Sequence, residues 1–167
     1  MFSPTYILRP TQPSDAADIE ALHEMAFGPG RFARTAFRLR EGVAPDPQLS
    51  LVAQFSDRLG GSVTMTPIRI GPEPALLLGP LAVHPDFARK GAGRSLVRAS
   101  LEAARRVGHR LVLLVGDEPY YGPLGFARVD YTKLTLPGPV DPRRVLLAGL
   151  VPGAFEAAAG MAKNWHW

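Results

Sequence analysis

The stretch Leu76–Leu101, LLLGPLAVHPDFARKGAGRSLVRASL, leaves this chain few folds to choose from. It reads as an apolar strand over Leu76–Val83, a turn over His84–Lys90 and a helix opening on Gly91-Ala92-Gly93. Pro85 has no amide hydrogen to give a sheet ladder, so the strand ends before it. The helix runs to about Val107, with Leu96, Val97, Leu101 and Ala104 on its buried face and Gly108 as its stop. Leu111–Val115 (LVLLV) then follows as a continuous apolar run, as expected for a strand covered on both faces. A strand–helix–strand unit with a single crossover makes its two strands parallel. An α/β (α+β) domain follows from this unit alone.

The turn also carries chemistry. Two glycines around Ala92 let the backbone turn tightly and let a ligand approach the main chain. The first amides of the following helix have no intrahelical partner, and the helix dipole adds partial positive charge. With Arg89, Lys90 and Arg94 beside them, these donors make a pocket suited to phosphate, and a pyrophosphate in particular. A G-x-G at a helix start also fits an ordinary strand-to-helix turn. A P-loop is excluded because G-x-x-x-x-G-K-[ST] is absent. A dinucleotide fingerprint is excluded because Leu96 stands where its third glycine would fall.

At 167 residues and 46% apolar, the chain suffices for one well-buried core and is short for two. With no linker, repeat or low-complexity tract, a single domain over residues 1–167 is expected. The absence of cysteine excludes disulfides, thiolate metal sites and a cysteine acyl-enzyme, and no metal is expected. MFSPTYILRPT lacks the basic start and apolar core of a signal peptide. No run approaches the ~18 apolar residues of a membrane span, so a cytoplasmic protein with no membrane partner is expected. The net charge of +4 and pI near 9.8 permit nucleic-acid binding. The basic residues, however, are spread from Arg9 to Lys163 without aromatic interleaving. An anionic small ligand explains them without nucleic acid.

In chain order, Tyr6–Arg9 is a short strand closed by Pro10, and Ser14 or Asp15 caps a helix through Phe27. Ile19, Leu22, His23 and Met25-Ala26 supply its apolar face. After Gly28-Pro29-Gly30, Arg31–Glu41 reads as a second amphipathic helix, basic at Arg31, Arg34, Arg38 and Arg40. Leu49–Phe55 and Leu59–Ile70 are strands joined by a hairpin at Ser56-Asp57-Arg58. Gly71-Pro72-Glu73-Pro74 turns the chain into the central strand. Pro119–Leu124 is at most a short helix, Phe126–Leu136 contains a strand, Arg144–Leu150 is a last strand and Pro152–Met161 a small helix. The tail Asn164–Trp167, with two tryptophans, is expected to fold back on the body or to meet another subunit, as in a homodimer.

Val83–Val97, V-H-P-D-F-A-R-K-G-A-G-R-S-L-V, resembles motif A of the GNAT N-acetyltransferase superfamily, [QR]-x-x-G-x-[GA] after a strand ending in V-x-P. Gly91 and Gly93 match the family glycines. Ala88 departs from the first position, with the basic residue displaced to Arg89. Gly116–Phe126, GDEPYYGPLGF, is similar to the family's later motif, and the pairing of G-D-x-x-Y-Y with G-F is closest to its YhbS-like group. The resemblance covers roughly Tyr6 to Leu136. It implies a GNAT-like mixed central sheet of about six to seven strands. That sheet splays at the pair Leu76–Val83 and Leu111–Val115, and helices flank both its faces.

The same resemblance implies acetyl-CoA as cosubstrate. Its pyrophosphate would lie on Arg89, Lys90, Gly91, Ala92, Gly93, Arg94 and Ser95, and its pantetheine arm along the main chain of Leu81, Ala82 and Val83. It implies Tyr121 as the acid for the departing thiolate, in contact with the cofactor, and Arg31 or Arg34 at the acceptor. A base is harder to name. Asp117 at the mouth of the splay leads, with Glu118, Glu73 and His84 behind it and an ordered water relay as the other solution. The implied reaction is direct attack by a primary amine in a ternary complex. The acceptor is a small amine, an amino acid, or a protein N-terminus or lysine. A CoA-binding module without turnover is the alternative.

Overall fold

The computed structural model describes residues 5–167, so the expectation for the MFSP start lies outside the described residues. An antiparallel meander builds the first half of the sheet. β1 (Ile7–Pro10) pairs with β2 (Leu51–Phe55), β2 with β3 (Arg58–Ile70), and β3 with β4 (Glu73–Val83). Ser56-Asp57 makes the β2–β3 turn, with Ser56 at φ 56°. Between β1 and β2 the chain forms α1 (Ala16–Phe27) and α2 (Thr35–Arg40). After α3 (Ala92–Arg106), β5 (Leu111–Val115) lies parallel to β4, as the crossover requires. The chain continues through α4 (Glu118–Tyr121), β6 (Ala127–Arg128), β7 (Leu134–Thr135), β8 (Val145–Gly149), α5 (Ala154–Ala157) and β9 (Gly160–Asn164). The sheet runs β1-β2-β3-β4-β5-β8-β6, with β9 against the far half of β3 and β7 against β9.

Both faces of the sheet are covered, which is why LVLLV is apolar without alternation. Leu76, Leu78, Val112 and Leu114 meet Leu96, Val97 and Leu101 of α3 on one face. Leu77 and Leu113 meet Leu39 of α2 and Ala154 of α5 on the other. The prolines of β4 are tolerated because of where its ladders stop. Its pairing to β5 is confined to Leu76↔Val112 and Leu77↔Leu113. Pro74 precedes that ladder, and Pro80 follows it, opposite a bulge that sets Gly79 and Pro80 against Thr64 alone. The strand therefore begins at Glu73 rather than Leu76, and the turn before it is only Gly71-Pro72.

Four expectations need correction. Arg31–Glu41 is not one helix. Pro29–Ala33 is a 3-10 turn, Arg34 is extended (φ −74°, ψ 144°), and α2 starts only at Thr35. Buried Thr35 fixes that start by donating its hydroxyl to the carbonyl of Pro139. Pro152–Met161 is helical only over Ala154–Ala157, and Gly160 (φ 120°) switches the chain into β9. A Cβ on Gly160 would come within 2.8 Å of Gly71 Cα, so the two backbones cross here because both are glycine. The sheet has nine strands rather than six or seven, because of β9 and the two-residue β6 and β7. Met25 faces solvent at 45% exposure instead of joining the core. The tail does fold back: Asn164 is buried and Arg69 sits 4.2 Å over the ring of Trp165, while Trp167 stays exposed.

Asp15 opens α1 without capping it by its side chain. Its carboxylate instead accepts two bonds from Arg9 at 2.8 Å and one from the Gln12 amide at 2.8 Å, tying β1 to the helix. The Arg9 guanidinium holds this carboxyl below the usual carboxylate range. A group depressed in the folded state stabilises above its unfolded pKa of about 3.9 and loses that contribution as pH falls through the lower folded value. Asp15→Asn should therefore lower the urea midpoint at pH 7, and the gap to wild type should close between about pH 4 and pH 2. A gap that stays constant down to pH 2 would show that the ion pair contributes nothing.

Candidate active site

Beyond Leu77 and Leu113 the parallel strands part, and the sheet makes no ladder bonds across the gap. A cavity of about 190 Å³ fills the splay, lined by Leu78, Leu81, Leu114, Gly116, Asp117 and Tyr121. A second cavity, about 430 Å³, lies at the start of α3. Val83, Arg89, Gly91, Ala92, Gly93, Arg94 and Tyr120 line it. Left-handed backbone at Arg89 (φ 64°) and Gly91 (φ 79°) shapes the turn. A non-glycine residue there costs roughly 1–2 kcal/mol, a strain commonly found at ligand clamps. Among the described residues no side chain caps α3, whose first amides have no intrahelical partner.

Two glycines are explained by the tyrosines that follow β5. A Cβ on Gly93 would lie 2.7 Å from Tyr120 Oη, and one on Gly116 would lie 2.7 Å from Tyr121 Cε2. The two rings meet edge to face at 4.8 Å, and Tyr121 also stands edge to face with Phe126 at 5.9 Å. Burial, reinforced by Tyr120 and Asp117, pushes the Tyr121 hydroxyl up to about 12, so it keeps its proton. Burial also raises Tyr120, against the pull of Arg94. Among the described residues no hydrogen bond engages the Tyr121 hydroxyl.

The predicted cofactor residues divide. Val83, Arg89, Gly91, Ala92, Gly93 and Arg94 come together at the α3 cavity, and Leu81 and Tyr121 at the splay. Ala82 buries its side chain, Lys90 points to solvent outside the cavity lining, and the Ser95 hydroxyl pairs with Tyr6 Oη at 3.0 Å. Asp117 does line the splay, exposed and 3.4 Å from Arg144, while its carbonyl accepts the amides of Tyr120 and Tyr121. The other carboxylates stand apart: Glu118 pairs with Arg128, and Glu73 begins β4 at the far end from the splay. His84 Nδ1 accepts the Asp86 amide and caps its turn.

A third and larger cavity, about 490 Å³, adjoins the splay across Arg31, Arg40 and Pro80, which line both. Arg31 is engaged there by Glu20 at 2.6 Å and by the Gly28 carbonyl at 2.7 Å. Arg34 lines the splay beside it. Sequence reasoning missed Tyr120 as a lining residue of the α3 cavity. It also passed over Arg40, His23 and Thr66, which line the large cavity. Nothing distinguished Arg40 from Arg38 in the sequence, because only the break at Arg34 decides which arginine of α2 turns inward.

The chain as a whole resembles known proteins in sequence and in fold. A sequence model of the acetyltransferase (GNAT) family matches residues 16–126, and the chain belongs to that family. It is 33% identical over 120 residues to an uncharacterized N-acetyltransferase of Escherichia coli K12, YjhQ. That match covers 70% of this chain and 66% of the relative, so the chain spans just under two thirds of YjhQ. The GNAT family N-acetyltransferase YhbS of E. coli, solved in complex with CoA, superposes with a TM-score of 0.83 at 25% identity over 98% of this chain and 92% of that one. A Brucella melitensis GNAT family acetyltransferase, in complex with acetyl-CoA, does so at 0.61 and 27%, over 92% and 99%. Among the described residues no helix is long and apolar enough to cross a membrane, and no cluster of His, Asp or Glu is placed to hold a metal.

Proposed function

We propose that this chain is an acetyl-CoA-dependent N-acetyltransferase acting on a primary amine by direct attack in a ternary complex. The observation that carries the reading is the division of labour in α4. Tyr120 lines the cavity at the start of α3 while its neighbour Tyr121 lines the splay, so one helix turn spans both ends of an extended ligand. Acetyl-CoA supplies the activated acyl group as a thioester. The amides of Ala92, Gly93 and Arg94 with the Arg89 and Arg94 side chains hold the pyrophosphate. Main-chain groups of Leu81, Ala82 and Val83 line the pantetheine arm and aim the carbonyl into the splay.

Tyr121 donates its proton as the thiolate departs. A phenol at about 12 is a poor acid against a thiol of pKa ~8.5 in water. The burial that raises the phenol also raises the thiolate's affinity for a proton, so transfer inside the cleft is less uphill than those numbers suggest. A primary amine of pKa ~10 must lose a proton before it attacks. Asp117, the carboxylate lining the splay, receives it directly or through water, and Arg31 and Arg34 face the acceptor. A free proton donor at Tyr121 favours this reading over a silent CoA-binding module, which needs none.

Calorimetry with acetyl-CoA, followed by a thiol-release assay across amines, tests it. Binding together with amine-dependent thiol release is the expected result. Binding without release against small amines and peptides would leave the module.

A further inference from the structure

Arg40 lines both the splay and the large cavity. It is largely buried, it stands 5.4 Å over the ring of Phe37, and among the described residues it has no ion pair and no hydrogen bond. Burial and the neighbouring Arg34 pull its guanidinium down to about 10. Of the carboxylates that share its two cavities, Glu20, Glu41 and Asp117, none pairs with it among the described residues. Glu20 holds Arg31, Asp117 faces Arg144, and Glu41 is exposed and makes no ion pair. A partly buried, unpaired cation beside a second cation is stabilised when an anion reaches it through the cavity.

Its surroundings describe the rest of the ligand. The 490 Å³ cavity that Arg40 shares with the splay is walled by Ile19, Phe32, Phe37 and Val43, a size and character suited to a small molecule with an apolar body. Two lining residues, His23 and Thr66, each bury a polar atom, Nε2 and Oγ1, that has no partner among the described residues. Burial lowers His23, which keeps its imidazole neutral at pH 7. The cavity lining thus combines Arg40, the Arg31–Glu20 pair, the Glu41 carboxylate and an apolar wall in one space that adjoins the splay at Pro80.

Building on the acetyltransferase reading, we propose that the acceptor is an amine that also bears a carboxylate on an apolar body, the amino-acid class, with its carboxylate bound by Arg40. Guanidinium and carboxylate pair through two parallel bonds, which fixes the acceptor's orientation as well as its affinity. The amine is then turned toward the splay across Pro80, while the apolar side chain rests on Phe32 and Phe37.

The test compares isosteres on the full chain by calorimetry, with and without saturating CoA. The probes are 3-phenylpropanoate and 4-methylpentanoate, each against its neutral amide. Wild type should bind the carboxylates at least about tenfold more tightly than the amides. Arg40→Gln and Arg40→Met should each remove that preference, while Arg38→Gln, an exposed neighbour, should keep it. In thiol release, L-phenylalanine should be the better acceptor than phenethylamine, and Arg40→Met should raise its KM more than it lowers kcat. Equal binding of acid and amide by wild type, or a preference that survives both Arg40 variants, overturns the proposal. Failure of the acetyltransferase reading would show separately, as absent CoA binding, because the isostere comparison is also read in the absence of CoA.

Discussion

Tyr121→Phe is expected to lower kcat by about 10²–10⁴-fold, the usual contribution of a general acid, with acetyl-CoA affinity within about twofold of wild type. The variant keeps the ring, and the ring is what packs: it lies against Gly116, whose Cβ would be 2.7 Å from Cε2, and edge to face with Phe126. Only the hydroxyl is lost, and in this protein it has no structural partner among the described residues. The loss should fall on kcat and kcat/KM together, as for an interaction made mainly in the transition state. It should shrink with a more acidic leaving thiol, which needs less help from a proton. Steady-state kinetics with an accepted amine, with binding measured separately, gives the answer. A kcat within about twofold of wild type would make Tyr121 a packing residue and leave the catalytic reading without its acid.

Gly93→Val is expected to weaken acetyl-CoA binding by about 10–100-fold, the loss of one or two hydrogen bonds to a charged group. The position is crowded on both sides. A Cβ would already stand 2.7 Å from Tyr120 Oη, 3.6 Å from Val83 Cγ2 and 3.9 Å from Leu81 Cδ2. Two branches beyond that Cβ must push Tyr120 aside or fill the space where a phosphate meets the amides. Gly91→Val acts by another route, since its surroundings are open but its φ of 79° disfavours any side chain. Circular dichroism and the urea midpoint should confirm that the Gly93 variant folds. Unchanged affinity in calorimetry would remove the pyrophosphate from this turn.

The central unit was readable because its signals are local. Pro85, the glycine pair and LVLLV each constrain a few neighbouring residues, and the resulting strand–helix–strand unit leaves one handedness and one strand polarity. The α3 cavity was readable for the same reason. What stayed hidden depends on distant partners. The extended residue at Arg34 looks helical in isolation, and its conformation follows from Thr35 being held by Pro139. β9 lies in an Ala- and Gly-rich stretch without strand periodicity, and it becomes a strand because β3 offers an open edge at Ile68–Ile70. Arg40 was visible as a charge but not as a cavity-lining residue, since its inward direction depends on both of these. Lys90 and Ser95, expected at the cofactor from the resemblance, lie outside the lining of the α3 cavity, Lys90 exposed and Ser95 paired with Tyr6.

The order in which a ribosome delivers these pieces gives Asn164 a further significance. Its side-chain amide donates to the carbonyls of Arg38 and Glu41, at 3.1 Å and 2.8 Å, closing the end of the helix that carries Arg40. Those contacts span 126 and 123 residues of sequence. The strands and glycine turn that form the α3 cavity can assemble from a nascent segment, whereas the large cavity beside Arg40 must wait for residues made far later. On the ribosome, cofactor recognition should therefore come first, and acceptor discrimination should come only when the β9 segment docks.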